Sequence, residues 1–270
     1  GFTATPSDET LSRFGEFRSA TTVPLWVPFD TYSMKEAIDD GYILDPTKHI
    51  IPYNVPVGFE LPEDLVIDDE DNVSEVKQNK QKVYEFEPRM RKIAEFVVDR
   101  LVSLVYGKIR GEGKAMLAVT SIPIAIRYTR IIREIYAEKC KEAQYAKYAK
   151  APIVVVYSDS QKYESCASVN NDIAEEKAIE NFKTAKNGLI IVVDKLQTGF
   201  DEPKLHTLFL DKEIKDINAI QTISRVNRTC KYKNECHVID CSWMNVNTKN
   251  IKQAFKKYCD MVISQFNPEE

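Results

Sequence analysis

The stretch Asn187-Gly188-Leu189-Ile190-Ile191-Val192-Val193 sets the architecture. A turn dipeptide opens directly into five apolar residues with no alternation. A strand with one wet face alternates apolar and polar residues, whereas an unbroken run this short suits a strand covered on both faces. The pattern recurs on either side. Residues 205–210 and 237–240 are further short apolar runs, and 115–120 and 152–157 precede them. Helical spacing fills the gaps. Ser121-Ile122-Pro123 starts a long helix, with proline near its first turn, and Ala125, Tyr128, Ile132, Ile135 and Tyr136 form its apolar stripe. Residues 172–182 and 216–227 read as helices, and 249–266 as a terminal helix that is basic in its first half. From Pro88 onward Ile93, Phe96, Val97, Leu101, Leu104 and Val105 also keep helical spacing. Strands alternating with helices predict an α/β fold, a parallel sheet with helices on both faces. Ligands of such sheets gather at the carboxyl ends of strands, where the reading places Thr120, Ser121, Ser158 and residues 197–201.

The amino-terminal third is less regular. Residues 23–29 carry two prolines and read as an edge strand or extended crossing. Ser33-Met34-Lys35-Glu36 is a capping box opening a short helix to about Asp40, with Gly41 as its stop. Residues 46–62 are proline-rich and extended. Residues 60–75 hold eight acidic side chains and no basic one, the composition of a solvated surface loop. The first residues, Gly1-Phe2-Thr3-Ala4-Thr5-Pro6, lack an initiator Met and are the start expected of an excised piece.

Hydrophobic residues make up 43% and charged residues 29% of the 270, proportions of an ordinary soluble domain. The net charge of −4 excludes a global basic footprint for nucleic acid and leaves room only for a local positive groove. No run approaches the ~18 apolar residues of a membrane span, and no signal peptide is evident. The six cysteines form no CxxC pair, and Cys236-His237 with Cys241 lacks zinc-site spacing. Reduced thiols in the cytoplasm, and no metal site, are the expectation.

Chemistry concentrates in 194–229. On a helix over 216–227, Ile217, Ile220, Ile223 and Val226 cover one arc. Gln221, Arg225 and Arg228 fall within about 60° of one another beside it. Arginine stays charged and offers a planar fork of donors to phosphate oxygens, although two helix arginines are ordinarily surface charges. Thr198-Gly199-Phe200-Asp201-Glu202-Pro203 follows an apolar strand; Gly199 permits close backbone approach and Asp201 could accept from a sugar hydroxyl. By itself this is an ordinary turn. Gly111-Glu112-Gly113-Lys114 is not a phosphate loop: the glycine spacing is wrong, Ala115 replaces the hydroxyl residue, and the lysine precedes a strand. Glu175-Glu176-Lys177 reads as a solvated helix face.

Taken together these segments resemble superfamily 2 helicases and translocases. Thr3-Ala4-Thr5-Pro6 looks like their third motif, 114–121 the fourth, 198–203 the fifth, and Gln221-x-x-x-Arg225-x-x-Arg228 the sixth, with Ser224 where glycine is common. The nearest likeness is to the motor subunit of type I restriction enzymes. It rests on Phe2-Thr3-Ala4-Thr5-Pro6, on Tyr32-Ser33-Met34-Lys35-Glu36-Ala37-Ile38-Asp39-Asp40-Gly41-Tyr42-Ile43-Leu44, on 114–119 and on 196–212. The resemblance implies a RecA-like (P-loop NTPase-type) second lobe over 88–270, a connector with the acidic loop over 29–87, and the end of the first lobe over 1–28. It implies ATP and Mg2+ as cofactors, held mainly by a first lobe upstream. Arg225 and Arg228 would be its arginine fingers, and Gln221, Gly199 and Asp201 would lie about the nucleotide. Thr120, Ser121 and Thr198 would contact the DNA backbone, and Thr3, Ala4 and Thr5 would couple the lobes. The implied partners are double-stranded DNA and the modification and specificity subunits of a restriction complex. This chain alone would be inactive. Another superfamily 2 DNA or RNA helicase, or a non-catalytic α/β interaction domain, remains as an alternative.

Overall fold

A computed structural model describes residues 13, 15–18, 25–27, 32–55, 80–195 and 200–259. The expectations for Thr3, Ala4, Thr5, Thr198, Gly199 and the acidic stretch 60–75 lie outside these residues. In chain order the elements are β1 (Glu16–Arg18), β2 (Leu25–Val27), α1 (Met34–Asp39), β3 (Ile50–Pro52), α2 (Glu87–Ser103), β4 (Lys114–Val119), α3 (Ile122–Lys139), β5 (Ile153–Val156), α4 (Glu175–Thr184), β6 (Gly188–Val192), β7 (Leu205–Asp211), α5 (Asp216–Ile223), β8 (His237–Asp240) and α6 (Asn247–Cys259). Strands β1 and β2 pair antiparallel. The rest form one six-stranded sheet in the order β3-β8-β7-β4-β6-β5, every pair parallel.

The five strands expected from apolar runs are all present. The sixth, β3, comes from the proline-rich stretch and lies on the edge beside β8, where Pro52, with no N–H to donate, is tolerated. The continuous apolar runs arise because both faces are covered. Ala115, Leu117 and Val119 of β4 point into a core with α2 and α3. Met116 and Ala118 point the other way, into a core with α4, α5 and α6. Burying a single aliphatic side chain contributes roughly 1.5–3 kcal/mol, so these two layers dominate the stability. The capping box of α1 forms as read: Ser33 Oγ accepts from the Glu36 N–H at 3.1 Å, and Glu36 accepts from the Ser33 N–H at 2.7 Å.

Two expectations change. The helix over 216–227 stops at Ile223. Ser224 Oγ donates to the Ile220 carbonyl at 2.7 Å, competing with the backbone ladder, and tighter turns follow from Arg225 to Thr222 and Val226 to Ile223. Arg225 and Arg228 therefore do not share a helical stripe with Gln221. Asp201, expected at the carboxyl ends of the strands, lies at their amino ends. Next to it, Glu202 meets Lys114, the first residue of β4.

Candidate nucleotide-facing arginine site

The site is built on the turn that follows α5. Arg225 Nη1 donates to the Phe200 carbonyl at 2.9 Å, and its Nε donates to the Gln221 carbonyl at 3.1 Å. Gln221 thus holds Arg225 through its backbone. Arg228 forms an ion pair with Asp201. Burial lowers the pKa of Arg225, and the like charge of Arg228 adds to the effect. Two guanidiniums face one carboxylate, which leaves a surplus positive charge. That donor set fits a phosphate group, since planar forked donors match its oxygens.

Arg228 is held from three directions. Ile43 forms an antiparallel bridge with it, flanked by Leu44 N–H to the Asn227 carbonyl at 2.7 Å. Thr229 Oγ1 donates to the Tyr42 carbonyl at 3.1 Å. The segment after α1 is therefore docked on the arginine strand. Beneath it Lys233 Nζ reaches the carbonyls of Pro203, Leu205, Val226 and Arg228 at 2.7–2.9 Å. Burial pulls Lys233 down to about 8, while this fan of carbonyls holds its ammonium. Lys233 was invisible to sequence reasoning, because its partners are scattered and no local pattern marks it. Lys114 is buried, with Nζ 2.7 Å from both Glu202 Oε2 and the Lys183 carbonyl, a structural lysine as the rejected phosphate-loop reading requires.

Thr120 and Ser121 lie elsewhere. They follow the carboxyl end of β4, opposite the Asp211 end of β7. The six residues of β4 separate them from the arginine edge by about 20 Å of strand rise. Ser121 is the N-cap of α3 but makes no cap bond, and its buried hydroxyl has no partner among the described residues. At the carboxyl edge, Arg89 of α2 pairs with Asp211 at 2.6 Å and donates to the Cys241 carbonyl at 2.7 Å, and Tyr128 Oη donates to Asp211 at 2.6 Å.

Residues 156–243 match the family model described as type I restriction enzyme subunit R domain 3. The span holds β6 to β8 and both arginines. The chain is similar to type I restriction R subunits. A Methanocaldococcus jannaschii protein described as the MjaVIIIP endonuclease subunit of a type I restriction enzyme is 23% identical over 96% of this chain and 27% of its own length. The HindI endonuclease subunit of Haemophilus influenzae is 32% identical over 43% of this chain and 11% of its own length. The chain thus spans about a quarter or less of these R-subunit relatives. A solved fragment described as an HsdR subunit from Vibrio vulnificus YJ016 superposes with a TM-score of 0.52 at 16% identity, over 83% of this chain and 36% of that one. That likeness concerns the fold alone, a RecA-like parallel sheet with helices on both faces. All six cysteines are free thiols. Among the described residues no helix is long and apolar enough to cross a membrane.

Proposed function

We propose that this chain is the second motor lobe, with its connector and the end of the first lobe, of an ATP-dependent DNA translocase of the type I restriction R-subunit kind. The observation that carries the reading is the convergence of Arg225 and Arg228 on the loop bearing Phe200 and Asp201, with the family-like segment at Tyr42–Leu44 docked against them. Bound ATP would supply the phosphoryl group, with negative charge spread over its equatorial oxygens and developing on the leaving oxygen during transfer. Arg228 would leave Asp201 to meet that charge, and Arg225, preset by the Phe200 and Gln221 carbonyls, would hold the phosphate chain in line. Mg2+ takes a shell of oxygen ligands, and Asp201, already paired with Arg228, does not suit it; we assign the ion to the first lobe. Thr120 and Ser121, at the opposite strand edge, would hold the DNA backbone through hydroxyl and amide donors, contacts that track a strand without reading bases. Modification and specificity subunits would be the partners, in the cytoplasm.

The sequence given has no Gly-x-x-x-x-Gly-Lys-Ser/Thr loop. The purified chain should therefore release phosphate from ATP no faster than buffer, with or without double-stranded DNA. DNA-stimulated turnover that survives Arg225→Ala combined with Arg228→Ala would exclude the reading. A non-catalytic interaction domain would instead leave both arginines without consequence in the longer protein.

A further inference from the structure

All three histidines of the chain converge on one carboxylate. His49, His206 and His237 place Nε2 at 3.7, 3.7 and 3.6 Å from oxygens of Glu235. Three adjacent parallel strands bring them together: His49 directly precedes β3, His206 lies in β7, and His237 opens β8. The register Ile50↔Val238 sets His49 beside His237, and His206 lies at the irregularity of β7 where Lys114 pairs with Leu205 and Ala115 with Thr207. Ring centroids are 5.0 Å apart for His49 and His237 and 4.8 Å for His206 and His237. These N···O separations are too long for good hydrogen bonds. They are close to the roughly 3.3 Å edge of a tetrahedron built on bonds of ~2.0–2.1 Å.

His206 is 1% exposed, and its Nε2 has no hydrogen-bond partner among the described residues. Its Nδ1 is 2.8 Å from Thr207 Oγ1, the kind of outer contact that fixes a metal-binding tautomer. A buried, unpartnered ring nitrogen carries a desolvation cost that a bound cation would remove. The ligand atoms of His49, Glu235 and His237 lie within 4.8 Å of one another. A cavity of about 330 Å³, lined by Lys108, His206, Tyr232 and Glu235, opens to the cluster.

We propose that His49, His237 and Glu235, with His206 as fourth ligand, form a binding site for a divalent transition-metal ion of the zinc class. Imidazole nitrogens with one carboxylate suit such an ion, whereas Mg2+ and Ca2+ prefer all-oxygen shells. Lys108 Nζ, 2.7 Å from Glu235 Oε1, is the competing cation. Its side chain is 35% exposed and can turn to water when an ion enters. With His206 drawn in from its place beside the trio of His49, Glu235 and His237, four protein ligands would close the shell, so the ion would be structural. It would fasten the edge strand β3 to β8 and β7, beside the loop that carries Lys233.

The test is competition between the purified, chelator-treated chain and a chromophoric zinc chelator, with thermal unfolding followed in parallel. One equivalent of zinc should bind, and the melting temperature should rise and fall back when EDTA is added. His49→Ala, at a partly exposed position, and Glu235→Gln should each weaken binding at least about 100-fold. Lys108→Ala should strengthen it, and Cys230→Ser should leave it unchanged. Circular dichroism matching the parent chain establishes that each variant is folded. The proposal is overturned if the folded chain takes up no zinc at micromolar concentration. It is equally overturned if both ligand variants bind like the parent, or if Cys230→Ser abolishes binding.

Discussion

Arg89 is 1% exposed, and burial works against its charge. Asp211, in a two-pronged pair at 2.6 and 3.2 Å, together with the nearby Tyr128 and Tyr84, outweighs that penalty and raises the guanidinium's pKa. Tyr128 supplies a further hydrogen bond to the same carboxylate. Removing one member of such a buried pair leaves the other without compensation. Arg89→Met should therefore cost roughly 3–5 kcal/mol in urea unfolding of the chain. A loss below about 1 kcal/mol, the value of an exposed pair, would show that this network does not anchor α2 to the carboxyl edge. Gly113 is constrained in a different way: a Cβ there would meet the Val105 carbonyl oxygen, which explains a glycine directly before β4.

At the scale of elements, the edge strand makes the sharpest expectation. Ile50 is 1% exposed and packs into the core with α5 and α6, while Tyr53 N–H donates to the Asp240 carbonyl at 2.8 Å. Ile50→Ala should cost roughly 2–5 kcal/mol and should speed amide exchange in β3 more than in the central strand β4. Equal protection in the variant and the parent chain would mean that β3 is not fastened through this side chain. The other five strands of the sheet were legible because burial on both faces writes an unbroken apolar run. Strand β3 was not legible, since Ile50-Ile51 is only two residues long between His49 and Pro52. The end of α5 was hidden for the opposite reason. Val226 continues the apolar arc, yet it is buried from a turn, and the Ser224 hydroxyl bond to Ile220 that ends the helix leaves no periodic trace. The arginines could be chosen by type and spacing. What holds them could not, because Ile43, Asp201 and Lys233 reach Arg228 or its neighbours through long-range contacts or backbone carbonyls.

Across the whole molecule, the sheet separates two groups of residues by the length of a strand. The amino edge carries the arginine pair, and the carboxyl edge carries Thr120 and Ser121 above the Arg89 network. On the proposed function, the first edge would sense phosphate and the second would face DNA, so the lobe would convert movement against a nucleotide into movement along a backbone. The account stands or falls on the first edge, and steady-state ATP turnover at saturating DNA in the longer protein tests it most directly. Arg228 would meet charge chiefly in the transition state, so kcat should fall more than nucleotide affinity. Arg228→Ala should cut turnover by roughly 10³-fold or more, with DNA binding nearly intact. Arg228→Lys should recover little, because an ammonium lacks the planar fork. Near-normal turnover in Arg228→Ala would contradict the account.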